Sequence, residues 1–268
     1  MSASEIDLAI SAAREAGALI RDALDQAKNV ERKSPINLVT ETDRAAETII
    51  LGILRAAFPA DAIVAEESAG GDRPSGRAWV VDPLDGTTNF VHGLPHCAVS
   101  IGLLDDSGPL AAVVYDPCKD ELFSAERGSG AWADGKRLSV SAEPQLSESL
   151  LVTGFPYDRR TYSAFYLSYF ERFLHAARDL RRFGAAALDL CYVAAGRFDG
   201  FFEWKLHPWD TAAGWLIVEE AGGRVTNFAG EAYDPWGVRV LATNGHIHDQ
   251  AVAEFAGLPE HPDDSPVG

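Results

Sequence analysis

The chain has 268 residues, of which 47% are hydrophobic, 10% aromatic and 24% charged; this suits one large domain or two closely packed lobes and excludes a disordered chain. With 23 basic against 40 acidic residues the formal charge is −17, which repels nucleic acid and anionic membrane over the chain as a whole. A phosphorylated substrate is compatible with that charge only where carboxylates hold divalent cations that invert the local field.

Residues 5–27 place Ile6, Ala9, Ile10, Ala13, Ala16, Ile20 and Leu24 at intervals of three and four, which predicts an amphipathic helix. Residues 34–43 read as a loop or short extended segment, with Asp43 set to cap a second helix whose apolar face is Ala46, Ile49, Ile50, Ile53 and Leu54. Short strands are expected at 62–65 and 78–81, both ending in acidic residues. A strand at 97–104, a turn at Asp105-Asp106-Ser107-Gly108, and strands at 110–115 and 121–125 predict an antiparallel meander. From about Ser147 the style changes: a strand at 150–153, an aromatic-rich helix at 162–176, an extended piece at 180–182 and a helix at 185–195. A strand at 198–203 and a helix at 209–220, stopped by Gly222-Gly223, come next. Strands at 224–226 and 238–242, a closing helix at 247–255 and a fraying tail complete the chain. No repeat or linker interrupts it, so two lobes, 1–145 and 146–268, should pack as one body with a boundary near 142–148. Helices alternating with short β-branched stretches predict an α/β or α+β layered fold.

Cys97, Cys118 and Cys191 form no close CxxC pair, and an odd number without framework spacing predicts free thiols in a reducing compartment. Cys97 and Cys191 lack a nearby basic motif and read as core residues. The first residues carry no basic patch followed by a long apolar run, and no apolar span of about 20 residues occurs, so the cytoplasm is the expected location.

Four acids stand at the ends of apolar segments: Glu66 after Ile63-Val64-Ala65, Asp82 after Trp79-Val80-Val81, Asp85 three residues on, and Asp210 at the start of a helix. Strand ends and helix starts are where α/β layers put their sites. Asp82 precedes Pro83, which favours extended backbone, and Gly86 with two threonines then resembles a helix start after a fast turn. Asp82 and Asp85 can converge as hard oxygen ligands that suit Mg²⁺ better than Zn²⁺. Thr87, Thr88 and Asn89 would offer first-turn N–H groups to phosphate oxygens. Taken alone, an Asp-Pro-x-Asp-Gly run is also an ordinary turn, and Glu66-Glu67 could be surface acids.

The longer run Trp79-Val-Val-Asp82-Pro-Leu-Asp85-Gly-Thr-Thr-Asn-Phe90, with Trp209-Asp210-Thr-Ala-Ala-Gly214, resembles the inositol monophosphatase family. Leu38 to Asp43, Ala65-Glu66-Glu67-Ser68 and Gly184 to Glu203 extend the resemblance over about residues 5–255. It implies a layered αβαβα sandwich, usually dimeric, and Mg²⁺-dependent phosphatase activity with two or three ions per subunit. By the same resemblance Glu66, Asp82 and the Leu84 carbonyl would hold a first metal, Asp82, Asp85 and Asp210 a second, and Glu66 with water a weaker third. Glu66 and Thr87 would orient the attacking water, with Asp43 assisting through Thr87. Gly86, Thr87 and Thr88 would bind phosphate, Glu203 a substrate hydroxyl, and Asp210 would contact substrate as well as metal. Either Arg32 or Lys33 would match the lysine that many members carry before the Ser-Pro segment.

The mechanism expected is direct in-line hydrolysis without a phosphoenzyme, since Asp82 and Asp85 are committed to metal. No HxH or HExxH spacing supports zinc, and His92, His96 and His207 read as packing residues or neighbours of the pocket. The aromatic stretch from Phe155 to Phe173 suits helix packing or a dimer seam, and Arg178, Arg181 and Arg182 are the strongest cationic cluster. The expected substrate is a small phosphorylated polyol or sugar, best myo-inositol monophosphate, with a homodimer and no membrane or nucleic-acid partner. Fructose 1,6-bisphosphate, a broad range of sugar or nucleotide phosphates, and an interaction protein keeping the fold are the alternatives.

Overall fold

The computed structural model describes residues 4–26, 30–32, 38–68 and 72–263. In chain order the elements are α1 (Glu5–Ala23), β1 (Val30–Arg32), β2 (Leu38–Thr40), α2 (Glu41–Ala57), β3 (Ala62–Ala65), β4 (Ala78–Asp85), α3 (Thr87–Val91), β5 (Ala98–Asp105), β6 (Gly108–Asp116), β7 (Glu121–Glu126), β8 (Gly130–Ala133) and β9 (Lys136–Arg137). Then come β10 (Leu150–Thr153), α4 (Ser163–Ala176), β11 (Asp179–Arg181), α5 (Ala186–Ala194), β12 (Gly200–Trp204), α6 (Pro208–Glu220), β13 (Arg224–Thr226), β14 (Arg239–Thr243) and α7 (His248–Phe255).

Strands β3 to β9 form a seven-stranded sheet in sequence order, antiparallel except for the parallel pair β3–β4. A second, five-stranded sheet has the order β11-β10-β12-β14-β13. Helices α1 and α2 cover one face of the first sheet, α5 and α6 lie between the sheets, and α4 and α7 cover the far face of the second. This is the αβαβα layering expected. The layers follow from alternation along β5: Val99, Ile101 and Leu103 pack with α1 and α2, and Ser100 and Gly102 face α6. A Cβ at Gly102 would lie 3.2 Å from both the Ala212 Cβ and the Ala213 backbone nitrogen, so the absence of a side chain lets α6 sit down on the sheet.

Two helix starts differ from expectation. Thr40, not Asp43, is the N-cap of α2; Asp43 is the third helical residue and closes a capping box, its Oδ2 accepting the Thr40 N–H at 2.8 Å. In the same way Asp210 is the third residue of α6, and its Oδ2 accepts the N–H of the cap residue His207 at 2.7 Å. Sequence marks an acid near a helix start, but only the backbone shows which turn position it occupies. The aromatic stretch is packing in the main: Phe165, Tyr166, Tyr169 and Phe173 are buried with Trp204, Phe202 and Phe255 between α4, the second sheet and α7.

Candidate active site

The decisive local feature is β4. It was expected to stop at Val81 before a turn, but it runs through Asp85 and is buried along its whole length. Residues three apart on a regular strand face opposite ways. Here Asp82 pairs with Ser100 and Asp85 with Ala98, so three steps on β4 match two on β5. The irregularity falls at Pro83, which has no N–H for the ladder. It returns Asp85 to the face of Asp82, which is also the face where Val80 packs on Trp209 and Ala212 of α6. The interior is thereby given two carboxylates, and α6 adds Asp210.

Carboxylate oxygens of Asp82, Asp85 and Asp210 all lie within 4.8 Å of one another. Each side chain is aimed by a backbone donor: Leu84 N–H to Asp82 Oδ1 at 2.9 Å, Ala187 N–H to Asp85 Oδ2 at 2.8 Å, and the His207 N–H to Asp210. Asp85 also accepts from the backbone at Ala186 and Gly86. Burial, and then the negative charge of its neighbours, drives Asp82 and Asp210 well above the ordinary carboxylate range. Burial raises Asp85 to about 7, against the pull of the backbone donors around Ala187. Three convergent, aimed carboxylates that repel one another without a cation fit a hard divalent ion such as Mg²⁺.

These acids floor a cleft of about 540 Å³, which Glu66, Leu84, Gly86, Thr87, Thr88 and Glu203 also line. Glu66 reaches the cleft but is not one of the three carboxylates that converge within 4.8 Å. Asp43 stays behind the wall, fully buried, and touches the cleft through Thr87, whose hydroxyl lies 3.1 Å from both Asp43 Oδ1 and the Leu84 carbonyl. Burial raises Asp43 above the ordinary range, while its Thr40 and Thr87 hydrogen bonds oppose the shift. Gly86, at φ 86°, is the N-cap of α3. A Cβ there would enter a left-handed conformation and stand 3.0 Å from the His96 carbonyl oxygen.

Glu203, Tyr157, Arg159 and Arg182 also line the cleft. The carboxyl of Glu203 is pushed up to about 8 by burial, with Arg182 and Arg159 pulling it back. Tyr157 is 42% exposed as a residue, but desolvation of its phenol and then the Asp210 charge push that group upward. Of the expected basic cluster, Arg178 pairs with Glu148 and Arg181 with Asp179, and Arg182 alone lines the cleft. His207 also lines it, stacked on Trp209 at 4.6 Å. Lys33 and the side chain of Arg32 lie outside the described residues. Sequence reading missed Phe155, Tyr157 and Arg159 as cleft residues, because the loop after β10 carries no motif and reaches the site only by the fold.

Residues 2–259 match the model of the inositol monophosphatase family. The chain belongs to that family. It is 44% identical over 255 residues to inositol monophosphatase 2 of Solanum lycopersicum, covering 91% of this chain and 95% of the relative. It is 46% identical over 230 residues to Nus factor SuhB of Escherichia coli K12, covering 84% and 85%. The crystal structure of the extragenic suppressor protein suhB of Bartonella henselae superposes with a TM-score of 0.88 at 41% identity, covering 94% of this chain and 98% of that one. Family membership makes the chain a phosphatase, and the cleft holds carboxylates able to bind a metal where such chemistry needs them.

Proposed function

We propose that the chain is a Mg²⁺-dependent phosphatase of small polyol phosphates, with myo-inositol monophosphate the best-supported substrate. The observation that carries this reading is the meeting of Asp82, Asp85 and Asp210 in a cleft that the buried Glu203 also lines. Asp82, Asp85 and Asp210 would hold Mg²⁺, with Glu66 and the Leu84 carbonyl completing two or three ion positions. Bound there, Mg²⁺ supplies positive charge against the phosphate and the leaving oxygen.

The chain's own residues do the rest. The Thr87 hydroxyl has one proton and two acceptors at 3.1 Å, Asp43 Oδ1 and the Leu84 carbonyl. With that proton committed, its oxygen is left to accept from a water in the cleft. Glu66 takes the second proton of that water as it attacks in line. Gly86, Thr87 and Thr88 hold the phosphate. Glu203, buried in the lining of the cleft, takes hydrogen bonds from ring hydroxyls. In this reading the lobe 1–145 supplies the metal and phosphate end and the lobe 146–268 completes the cleft, and the chain works as a homodimer in the cytoplasm. Among the described residues no helix is long and apolar enough to cross a membrane.

Arg159 and Arg182 in the cleft lining favour a second reading, a substrate with a second anionic group such as fructose 1,6-bisphosphate. The relative named Nus factor SuhB supports a third, a role in contacts with other macromolecules beside or instead of hydrolysis. Rates with Mg²⁺ on myo-inositol 1-phosphate, fructose 1,6-bisphosphate and a nucleoside 2′-phosphate decide among them. The highest kcat/KM is expected for the inositol ester. A clear preference for the bisphosphate sinks that assignment, and no turnover of any of the three favours the interaction role.

A further inference from the structure

Cys97 and Cys118 are 21 positions apart, and their sulfurs are 3.8 Å apart. Cys97 is fully buried at the mouth of β5, and Cys118 is partly exposed in the turn between β6 and β7. Both backbones are fixed. Val99 pairs with Tyr115 in the ladder that starts just after Cys97. The buried Asp116 carboxylate accepts the N–H groups of Cys118 at 2.9 Å and Lys119 at 3.1 Å, which locks the turn. The third thiol, Cys191, is fully buried within α5.

We propose that Cys97 and Cys118 are a redox modification site that a hydroperoxide converts into a reversible intramolecular disulfide, and that the bridge is felt at Gly86. The two thiols divide the work by position. Cys118 is the one that solvent reaches. Its thiolate is favoured by the hydrogen bond from Cys97, against burial and the Asp116 charge, with a smaller pull from the Lys119 ammonium, while Cys97 is driven up by that same hydrogen bond and by burial. In the first step the Cys118 thiolate attacks the peroxide: the O–O bond breaks, sulfur loses two electrons, one oxygen stays as sulfenic acid, and the departing hydroxide or alkoxide takes a proton from water. In the second, the Cys97 sulfur attacks the sulfenic sulfur, the S–O bond breaks, and the hydroxyl leaves as water with the Cys97 proton. Closing the sulfurs from 3.8 Å to about 2.05 Å must draw the two residues together, and the fully buried Cys97 transmits that movement to its own backbone. A dithiol restores both thiols by exchange, so the bridge would be transient in a reducing compartment.

The bridge lies close to the phosphate turn proposed above. The His96 carbonyl accepts the Asn89 side-chain amide of α3 at 2.9 Å. Gly86 backs onto the same segment just before β5, and a Cβ on it would lie 3.0 Å from that carbonyl oxygen and 3.4 Å from the Cys97 Cα. Drawing Cys97 toward Cys118 therefore pulls on the backbone that supports the cap of α3. Formation of the bridge is independent of the proposed function; its effect on turnover rests on that function.

The test treats the full chain with hydrogen peroxide, quenches, unfolds, counts thiols and maps linked peptides. The count is expected to fall from the three free cysteines to one, with Cys97 joined to Cys118, and to recover with dithiothreitol. The Cys118→Ser protein is expected to keep its two remaining thiols under the same treatment. Three thiols surviving, a bridge to Cys191, or Cys118 advancing to sulfinic acid beside a free Cys97 each overturns the proposal. Turnover of the bridged protein is expected to drop several-fold and return on reduction; an unchanged rate overturns the coupling to Gly86. A reduced protein with no turnover of polyol phosphates counts against the proposed function and leaves the bridge standing.

Discussion

Glu203 occupies the space that a side chain at position 154 would fill: a Cβ on Gly154 would lie 2.2 Å from both carboxylate oxygens of Glu203. Gly154 is not among the glycines with positive φ, so it is there for room and not for backbone freedom. It sits one residue beyond β10, whose Thr153 hydroxyl donates to the Phe202 carbonyl at 2.6 Å on the neighbouring strand. The Glu203 carboxyl that lines the cleft is thus positioned by the absence of an atom at position 154.

Gly154→Ala is the corresponding test. The added methyl forces Glu203 from its seat, an overpacking cost of about 1–3 kcal/mol. If that cost falls on substrate binding, kcat/KM for a polyol phosphate should drop roughly 10- to 100-fold. The loss should appear in KM, since the metal end of the cleft is untouched. Steady-state kinetics that show a normal KM would remove Glu203 from substrate recognition.

Asp43→Asn tests the relay through Thr87. The amide can still close the capping box through its oxygen, so the cost to α2 should stay within about 1 kcal/mol. Its NH₂ group, however, would donate to the Thr87 hydroxyl, which now lies 3.1 Å from Asp43 Oδ1, and would occupy the lone pair that the proposed water would use. A fall in kcat on the order of 10²-fold with little change in KM is expected. Turnover within twofold of the parent protein would show that the contact serves only the fold.

Asp210→Asn should separate charge repulsion from metal affinity. Without divalent ions, removing one of three carboxylates whose oxygens lie within 4.8 Å should raise the unfolding temperature. With Mg²⁺ the order should reverse: the parent protein gains about 2.7 kcal/mol at 100 times its Kd, roughly 5–10 °C for a chain of this size, and the variant gains much less. Calorimetry with EDTA and with Mg²⁺ reads both signs. A variant that responds to Mg²⁺ like its parent would take Asp210 out of the metal set.

His248 should set an acid limit to stability. It is fully buried at the start of α7, with Nε2 2.9 Å from the Thr226 hydroxyl and Nδ1 2.9 Å from that of Thr243. The Thr226 hydroxyl donates to the Asn227 carbonyl, so Nε2 carries the proton and Nδ1 accepts from Thr243. Burial, and then Arg224, depress the imidazole from 6.5 to about 4, with Asp249 opposing. The unfolded chain therefore takes up a proton before the folded one does. Stability is fully present above pH 6.5 and is lost as pH falls from there toward about 4, by roughly 2–3 kcal/mol. Urea unfolding of His248→Asn should show a shallower decline over that window, and parallel curves would assign the acid loss elsewhere.

Much of this protein is determined locally and can be read from its sequence. The periodic apolar positions give the helices, the turns give the meander, and Asp82 to Thr88 with Trp209-Asp210 mark the family and the reaction class. Those features depend on neighbours a few residues away. The tertiary structure alone decided that β4 continues through Pro83 with a shifted register, which is what brings Asp82 and Asp85 to one face. It also decided that Thr40 caps α2, that Arg159 and Tyr157 reach the cleft, that Gly154 makes room for Glu203, and that Cys97 meets Cys118. Each of these joins groups that are distant in sequence or turns on strand register, and neither distance nor register leaves a periodic trace in the chain.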